Sequence, residues 1–529
     1  MTAVNRIVRL ISPAALFAVS LHGQATGPVA PSSDRLGELA FPNSGASAAQ
    51  GDFIRGVLYL HSFEYESAAL AFRAAQRADP GFALAYWGEA MTYTHPIWNQ
   101  QDVVAARAAL NRLGPSPEAR ISKAPSARER DYIAAVEVLY GDGSKAVRDT
   151  LFAKRMERVA ATYPDDAEAQ LFFALALMGL SQGVRNVPAY MKAGAIALRV
   201  FEQRPNHPGA AHYVIHAFDD PVHAPLGLHA ARAYSRIAPA AGHAQHMTTH
   251  IFLALGMWPE VVRQNEIAQE ATLRTSDRTR WLAGHYTSWL GYALLQQGRF
   301  DAARAHLVLL AENQAHSSRP GGGAALAAMR AAYLVETERW TDTAITGSLA
   351  RDADVTGQHA SETFARGLAA LRTGRRRRAE AALNVLDGGV AARESTQSSD
   401  PHTQVMAAQL RALLLSDEGR KDEAIVLLRR TAAIEDTLPV EFGPPVVVKP
   451  THELIGELLL ALGRANEAQR EFVRALEQGP GRTHALAGLV RAATAAGDKG
   501  TADDARRTLA ETLAGADAGL LQRLLRSDQ

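Results

Sequence analysis

The chain has 529 residues, with 56 Lys+Arg against 55 Asp+Glu and no cysteine. The balanced charge argues against a dedicated nucleic-acid binder, which carries a basic excess, and the missing cysteine excludes disulfides, thiolate metal sites, a cysteine nucleophile and a lipid anchor on cysteine. Alanine supplies roughly a fifth of the residues, far above ordinary usage, and its helix propensity and small size lean the composition toward an all-α fold.

The N-terminus reads as a secretory signal over residues 1–25. Arg6 and Arg9 form a basic start, Leu10 to Leu21 an apolar run, and Gly23 and Ala25 the small residues of a cleavage site. An uncleaved anchor or a loose tail is the alternative. The reading implies export to the periplasm or exterior, and no later run of about 20 apolar residues offers a membrane span. Residues 26–48, rich in Pro, Ser and Gly, are expected to form a flexible lead-in.

From residue 49 a rhythm sets in. Gly56, Tyr59, Ala68, Phe72, Ala75 and Pro80 fall at positions 8, 11, 20, 24, 27 and 32 of a 34-residue helical hairpin, and Gly456, Leu459, Gly463, Ala468, Phe472, Ala475 and Pro480 repeat the pattern near the other end. Small residues at 8, 20 and 27 let helices A and B approach, larger ones at 11 and 24 fill the gap, and Pro ends helix B. Further copies are marked by Gly291, Gly298 and Ala303, by Gly367, Gly374 and Ala379, and by Gly419 and Ala424, with weaker ones ending at Pro164, Pro205 and Pro239. This pattern resembles the tetratricopeptide-repeat (TPR) family over most of the chain. The resemblance implies an all-α solenoid, a right-handed superhelix of roughly nine to eleven hairpins whose helix-A positions 2, 5, 9 and 12 line a concave groove.

Breaks in the rhythm at 96–126, 313–323, 387–402 and 436–450 divide the solenoid into an N-terminal array (49–312), a middle section (324–435) and a C-terminal pair (445–529). In the first array, His61 and His95 are 34 residues apart, and with Trp87 and Trp98 they could give the groove an aromatic wall; packing between helices is the plainer reading of Trp87. Arg375–Arg378 reads as the solvated start of a helix.

Eight of the 18 histidines fall within residues 207–250, centred on the array's 205–260 region. Pro205 and Pro239 are one repeat apart, so His212 and His216 take positions 5 and 9 of one helix A, and His246 and His250 the same positions of the next. Each pair is i, i+4 and projects from one helix face. If those positions line the groove, four imidazoles on helices about 10 Å apart reach a shared ion. His243, Asp219 and His285 take further groove positions, and Asp220 and His223 lie just past the first pair as candidate ligands or orienting partners. A nitrogen-and-oxygen set without sulfur suits Zn, Cu, Fe or Ni rather than Ca or Mg. Neither pair encloses a Glu, so the metalloprotease base is absent.

At the C-terminal repeat, Glu453 and Glu457 take positions 5 and 9, beside His452, and are expected to face a ligand. The segments HPGAAHYVIHAFDDP and APAAGHAQHMTTHIFLALGMW also resemble a group of exported bacterial TPR proteins. Two functions stand: an exported solenoid holding a transition-metal ion (Zn, Cu or Fe) in its groove, with metal-assisted chemistry open to it, or a non-enzymatic scaffold binding a peptide, protein or small molecule there.

Overall fold

Proline, alanine and glycine placement dictates the hairpins. The computed structural model describes residues 35–181, 184–274, 284–315, 322–342, 358–394, 400–440 and 442–526; the expected signal segment lies outside them. The first array pairs α1 (Ser47–His61) with α2 (Tyr65–Ala78), α3 (Ala83–Met91) with α4 (Val103–Leu113), and, after the short α5 (Pro117–Ser122), α6 (Ala127–Leu139) with α7 (Lys145–Thr162). It continues through α8 (Ala167–Met178) with α9 (Val187–Gln203), α10 (Pro208–Ala217) with α11 (Ala224–Ile237), α12 (Gly242–Ala254) with α13 (Trp258–Arg274), and α14 (His285–Gln296) with α15 (Phe300–Ala315). Beyond α16 (Gly322–Thr337) come α17 (Gln358–Arg372) with α18 (Arg376–Glu394), α19 (Pro401–Asp417) with α20 (Lys421–Glu435), α21 (Thr451–Ala461) with α22 (Ala465–Gln478), α23 (Thr483–Ala496) with α24 (Lys499–Thr512), and α25 (Leu520–Leu525). The chain is an all-α helical repeat. Its one sheet among the described residues is a two-residue ladder, Thr94–His95 against Gln100–Gln101.

Pro80, Pro164, Pro205, Pro239 and Pro480 each stand two residues beyond a helix end, where a missing N–H and a fixed φ stop the helix. Within the hairpins the A–B turn needs a left-handed residue, supplied by Gly256, Gly298, Gly374, Gly419 and Gly463. The first hairpin departs from this: Phe63 takes that place with φ +53°. Such a conformation is strained for a bulky residue and persists only where surroundings hold it.

The lead-in and the openness of the solenoid differ from expectation, and the 436–450 break has a buried side. The lead-in is packed from residue 35 onward. Leu36 is fully buried, Phe41 lies 5.2–5.6 Å from the rings of Phe53, Trp87 and Tyr132, and Arg35 O and Glu38 N bond the backbone of Ala240 and Asn206. The 436–450 stretch is irregular yet carries Val447, Val448 and Lys449 into the interior. The solenoid also closes on itself: Trp258 Nε1 donates to Gly481 O at 2.8 Å, and Thr483 N to Gln296 Oε1 at 2.9 Å. One contiguous apolar cluster consequently runs from Leu36 to Leu520.

Candidate metal centre

Closure of the solenoid places six of the eight crowded histidines inside it, His223 and His229 excepted. His212 and His216 on α10 and His243, His246 and His250 on α12 are all buried, the most accessible being His250 at 6%. They therefore do not line an open groove, as the repeat register predicts, because the α1–α2 turn and the 442–443 segment lie over them. The Phe63 ring sits 4.3, 5.5 and 5.8 Å from His212, His216 and His243. Trp98 lies 6.0 Å from His243, and Phe442 lies 6.4 Å from His250.

The expected quartet is regrouped. His212, His216 and His243 form one triad, and His246, His250 and His285 a second; within each, one ligating nitrogen per residue lies within 4.8 Å of the others. His285, at the start of α14, is the least buried of the six. The triads abut, with ring centroids 6.0 Å apart for His216–His250 and 6.3 Å for His243–His246.

Three of the rings are aimed by a neighbour. His212 Nδ1 donates to His61 O at 2.6 Å, His246 Nδ1 to Asn265 Oδ1 at 2.8 Å, and His250 Nδ1 to Asp219 Oδ2 at 2.5 Å. Asn265 is oriented in turn, its Nδ2 donating to Val261 O. A protein oxygen on Nδ1 fixes the tautomer and turns the Nε2 lone pair inward, the arrangement that ligating histidines use. Asp219 is held by its turn. Arg185 donates to the carbonyls of Ala217 and Asp219 and pairs with Asp220 at 2.8 Å, while Asp220 accepts the N–H groups of Val222 and His223 and the His223 ring. Asp219 thus orients an imidazole, whereas Asp220 and His223 shape the turn without touching the triads.

Both ring nitrogens of His216, and Nε2 of His250, find no hydrogen-bond partner among the described residues. A buried polar atom left so costs about 1–3 kcal/mol, which makes the centre a poor structural device by itself. Burial pushes the His216 imidazole well below its ordinary value, with His212, His250 and Arg185 adding to the effect. The ring is neutral at ordinary pH, the state a metal ligand needs.

A third cluster is the counterexample. Glu168 accepts from His61 Nε2 at 2.6 Å and His207 Nε2 at 2.9 Å, Tyr213 O–H donates to His61 Nδ1, and His207 Nδ1 caps α10 by accepting from Ala210 N. Burial lowers the His61 value, and the two rings hold Glu168 ionised against the burial that opposes its charge. Every nitrogen is satisfied, so this triad, equally compact, is a hydrogen-bond network.

The remaining candidates are placed elsewhere. Trp87 is buried, edge-on to Phe41, Tyr132 and Phe172, and meets no ligand-facing surface. Glu453 and Glu457 are engaged in ion pairs: Lys449 Nζ donates to both at 2.5 Å, and Glu453 also pairs with buried Arg482 at 2.8 Å. His95 stacks on Tyr65 at 3.9 Å and lines a cleft of about 620 Å³ with Arg73, Tyr93 and Asp102. Sequence reasoning missed Asn265, Trp289 (4.3 Å from His250) and Phe63. Only Phe63 left a trace, as a bulky residue where the register asks for glycine.

No family model matches the chain, and no curated protein matches it. Among solved structures it is similar to a human IFIT1 dimer with m7Gppp-AAAA (12% identity, 89% of this chain and 91% of that one, TM-score 0.34). It is likewise similar to the APC/C hetero-tetramer Cut9-Hcn1 (10%, 91% and 76%, TM-score 0.33) and the P58(IPK) TPR domain (12%, 85% and 99%, TM-score 0.22). No described helix is long and apolar enough to cross a membrane.

Proposed function

We propose that this helical solenoid binds transition-metal ions at the six-histidine centre, five of whose rings are buried. The observation that carries this reading is buried ring nitrogens that no described group satisfies, both of them at His216 and Nε2 at His250, whose ring Asp219 orients. An all-nitrogen set suits Cu, Zn or Fe. Such an ion supplies Lewis-acid or redox chemistry when bound; the chain's own part is to aim the rings and to exclude water behind Phe63, Trp289 and Phe442. Export, read from the N-terminal residues, belongs to the proposal on sequence grounds alone.

The test is elemental analysis of the chain purified without a histidine tag, as isolated and after anaerobic loading with each metal. Stoichiometric metal is expected, with marked loss in His212→Ala and His246→Ala variants that stay helical by circular dichroism. Absence of metal from the parent protein after loading overturns the reading. A second reading, ligand binding by the repeat array, is favoured by a cleft of about 270 Å³ between Asp219, Leu253 and Trp258 on one side and Leu438, Val447 and Arg482 on the other.

A further inference from the structure

The two triads are copies of one motif. In the first, the i, i+4 pair His212/His216 on α10 is completed by His243, the second residue of α12; in the second, the pair His246/His250 on α12 is completed by His285, the first residue of α14. The pairs are one 34-residue repeat apart. Each helix A therefore offers a pair along its face, and the next helix A closes the set from its N-terminal end. A single ion would leave one of two equivalent sets without its ligand.

Resting on the metal-binding reading above, we propose that the centre holds a pair of copper ions, one in each histidine triad, side by side across the His216–His250 and His243–His246 contacts. Metal–nitrogen bonds near 2.1 Å place tetrahedral ligands about 3.4 Å apart, so nitrogens within 4.8 Å of one another reach one ion by small ring movements. The nitrogens meet within that span inside each triad, which gives two separate ligand sets.

Charge selects the ion. Asp220 is offset by Arg185. One buried carboxylate is bonded to a ligand ring, Asp219 on His250. Two divalent ions side by side repel one another four times as strongly as two monovalent ions, because the energy scales with the product of the charges. Among metals suited to imidazole, copper has an accessible monovalent state and, when divalent, the highest affinity for nitrogen sites.

The experiment loads the full-length, untagged chain anaerobically with Cu(I), desalts it and measures copper per chain. The expected value is two, falling to one in each of the double variants His212→Ala/His216→Ala and His246→Ala/His250→Ala. Should a variant fail to fold, the parent protein alone decides: after oxidation, two neighbouring Cu(II) ions couple, so the integrated paramagnetic resonance signal falls well below the chemically measured copper. One copper per chain with a full spin count overturns the pair and leaves metal binding standing. No copper, zinc or iron bound overturns both readings. Two zinc ions and no copper overturn the choice of copper.

Discussion

His250 gives its Nδ1 proton to Asp219, and that one hydrogen bond sets which nitrogen faces the centre. Asp219→Asn keeps the shape and removes the charge, so metal affinity is expected to fall about 10–100-fold in a competition titration against a chelator, with little change in helicity. His452 carries the opposite kind of linkage. Burial opposes its charge, but hydrogen bonds to Glu471 at 2.6 Å and Asp436 at 3.1 Å outweigh that and raise its value above the ordinary one. Its contribution is fully present below about pH 6.5 and is lost as pH rises through the raised folded value. His452→Gln is therefore expected to lower the melting temperature more at about pH 6 than at about pH 9. At this scale the sequence is partly legible. His212, His216, His246 and His250 announce themselves because i, i+4 spacing and a 34-residue period are local arithmetic. Which of them fall into one triad does not, since the third members, His243 and His285, arrive from the following helices. Glu453 sits at the right register position and is neutralised by Lys449 and Arg482, one of them 29 residues away.

Each hairpin is a small-to-large lock. A Cβ at Gly456 would lie 2.8 Å from Phe472 Cζ, and one at Gly56 would lie 2.7 Å from Phe72 Cε1, the same contact at opposite ends of the chain. Alanine in place of helical glycine gains about 1 kcal/mol in propensity, whereas overpacking costs about 1–3 kcal/mol. Gly456→Ala is accordingly expected to lower the urea midpoint, while Gly51→Ala, with nothing within 4 Å of the added methyl, raises it. These locks make the hairpins legible in the sequence, because position-specific size is written residue by residue. The lead-in and the 436–450 stretch are not legible in the same way: their Pro, Ser and Gly content describes backbone habit and is silent about Leu36, Phe41 and Val447, whose partners are remote.

An ordinary repeat array has contacts only between neighbours, and its stability is a sum of nearly independent terms. Here α1 touches α10 and the C-terminal repeats touch α14, so distant repeats share one core. Arg482 concentrates this: fully enclosed, it pairs with Glu336 at 2.8 Å and donates to Tyr292 O–H at 3.0 Å, joining three sections of the chain. The six-histidine centre lies where those returns cross, between the α1–α2 turn on one side and Phe442 on the other. The clasp between Trp258 and Gly481 has a mechanical meaning as well. Stretched by its termini, an open solenoid peels hairpin by hairpin at low, even force. This chain must first break its clasps, so it should resist as a closed ring resists, holding its length until a single rupture and only then extending as a spring.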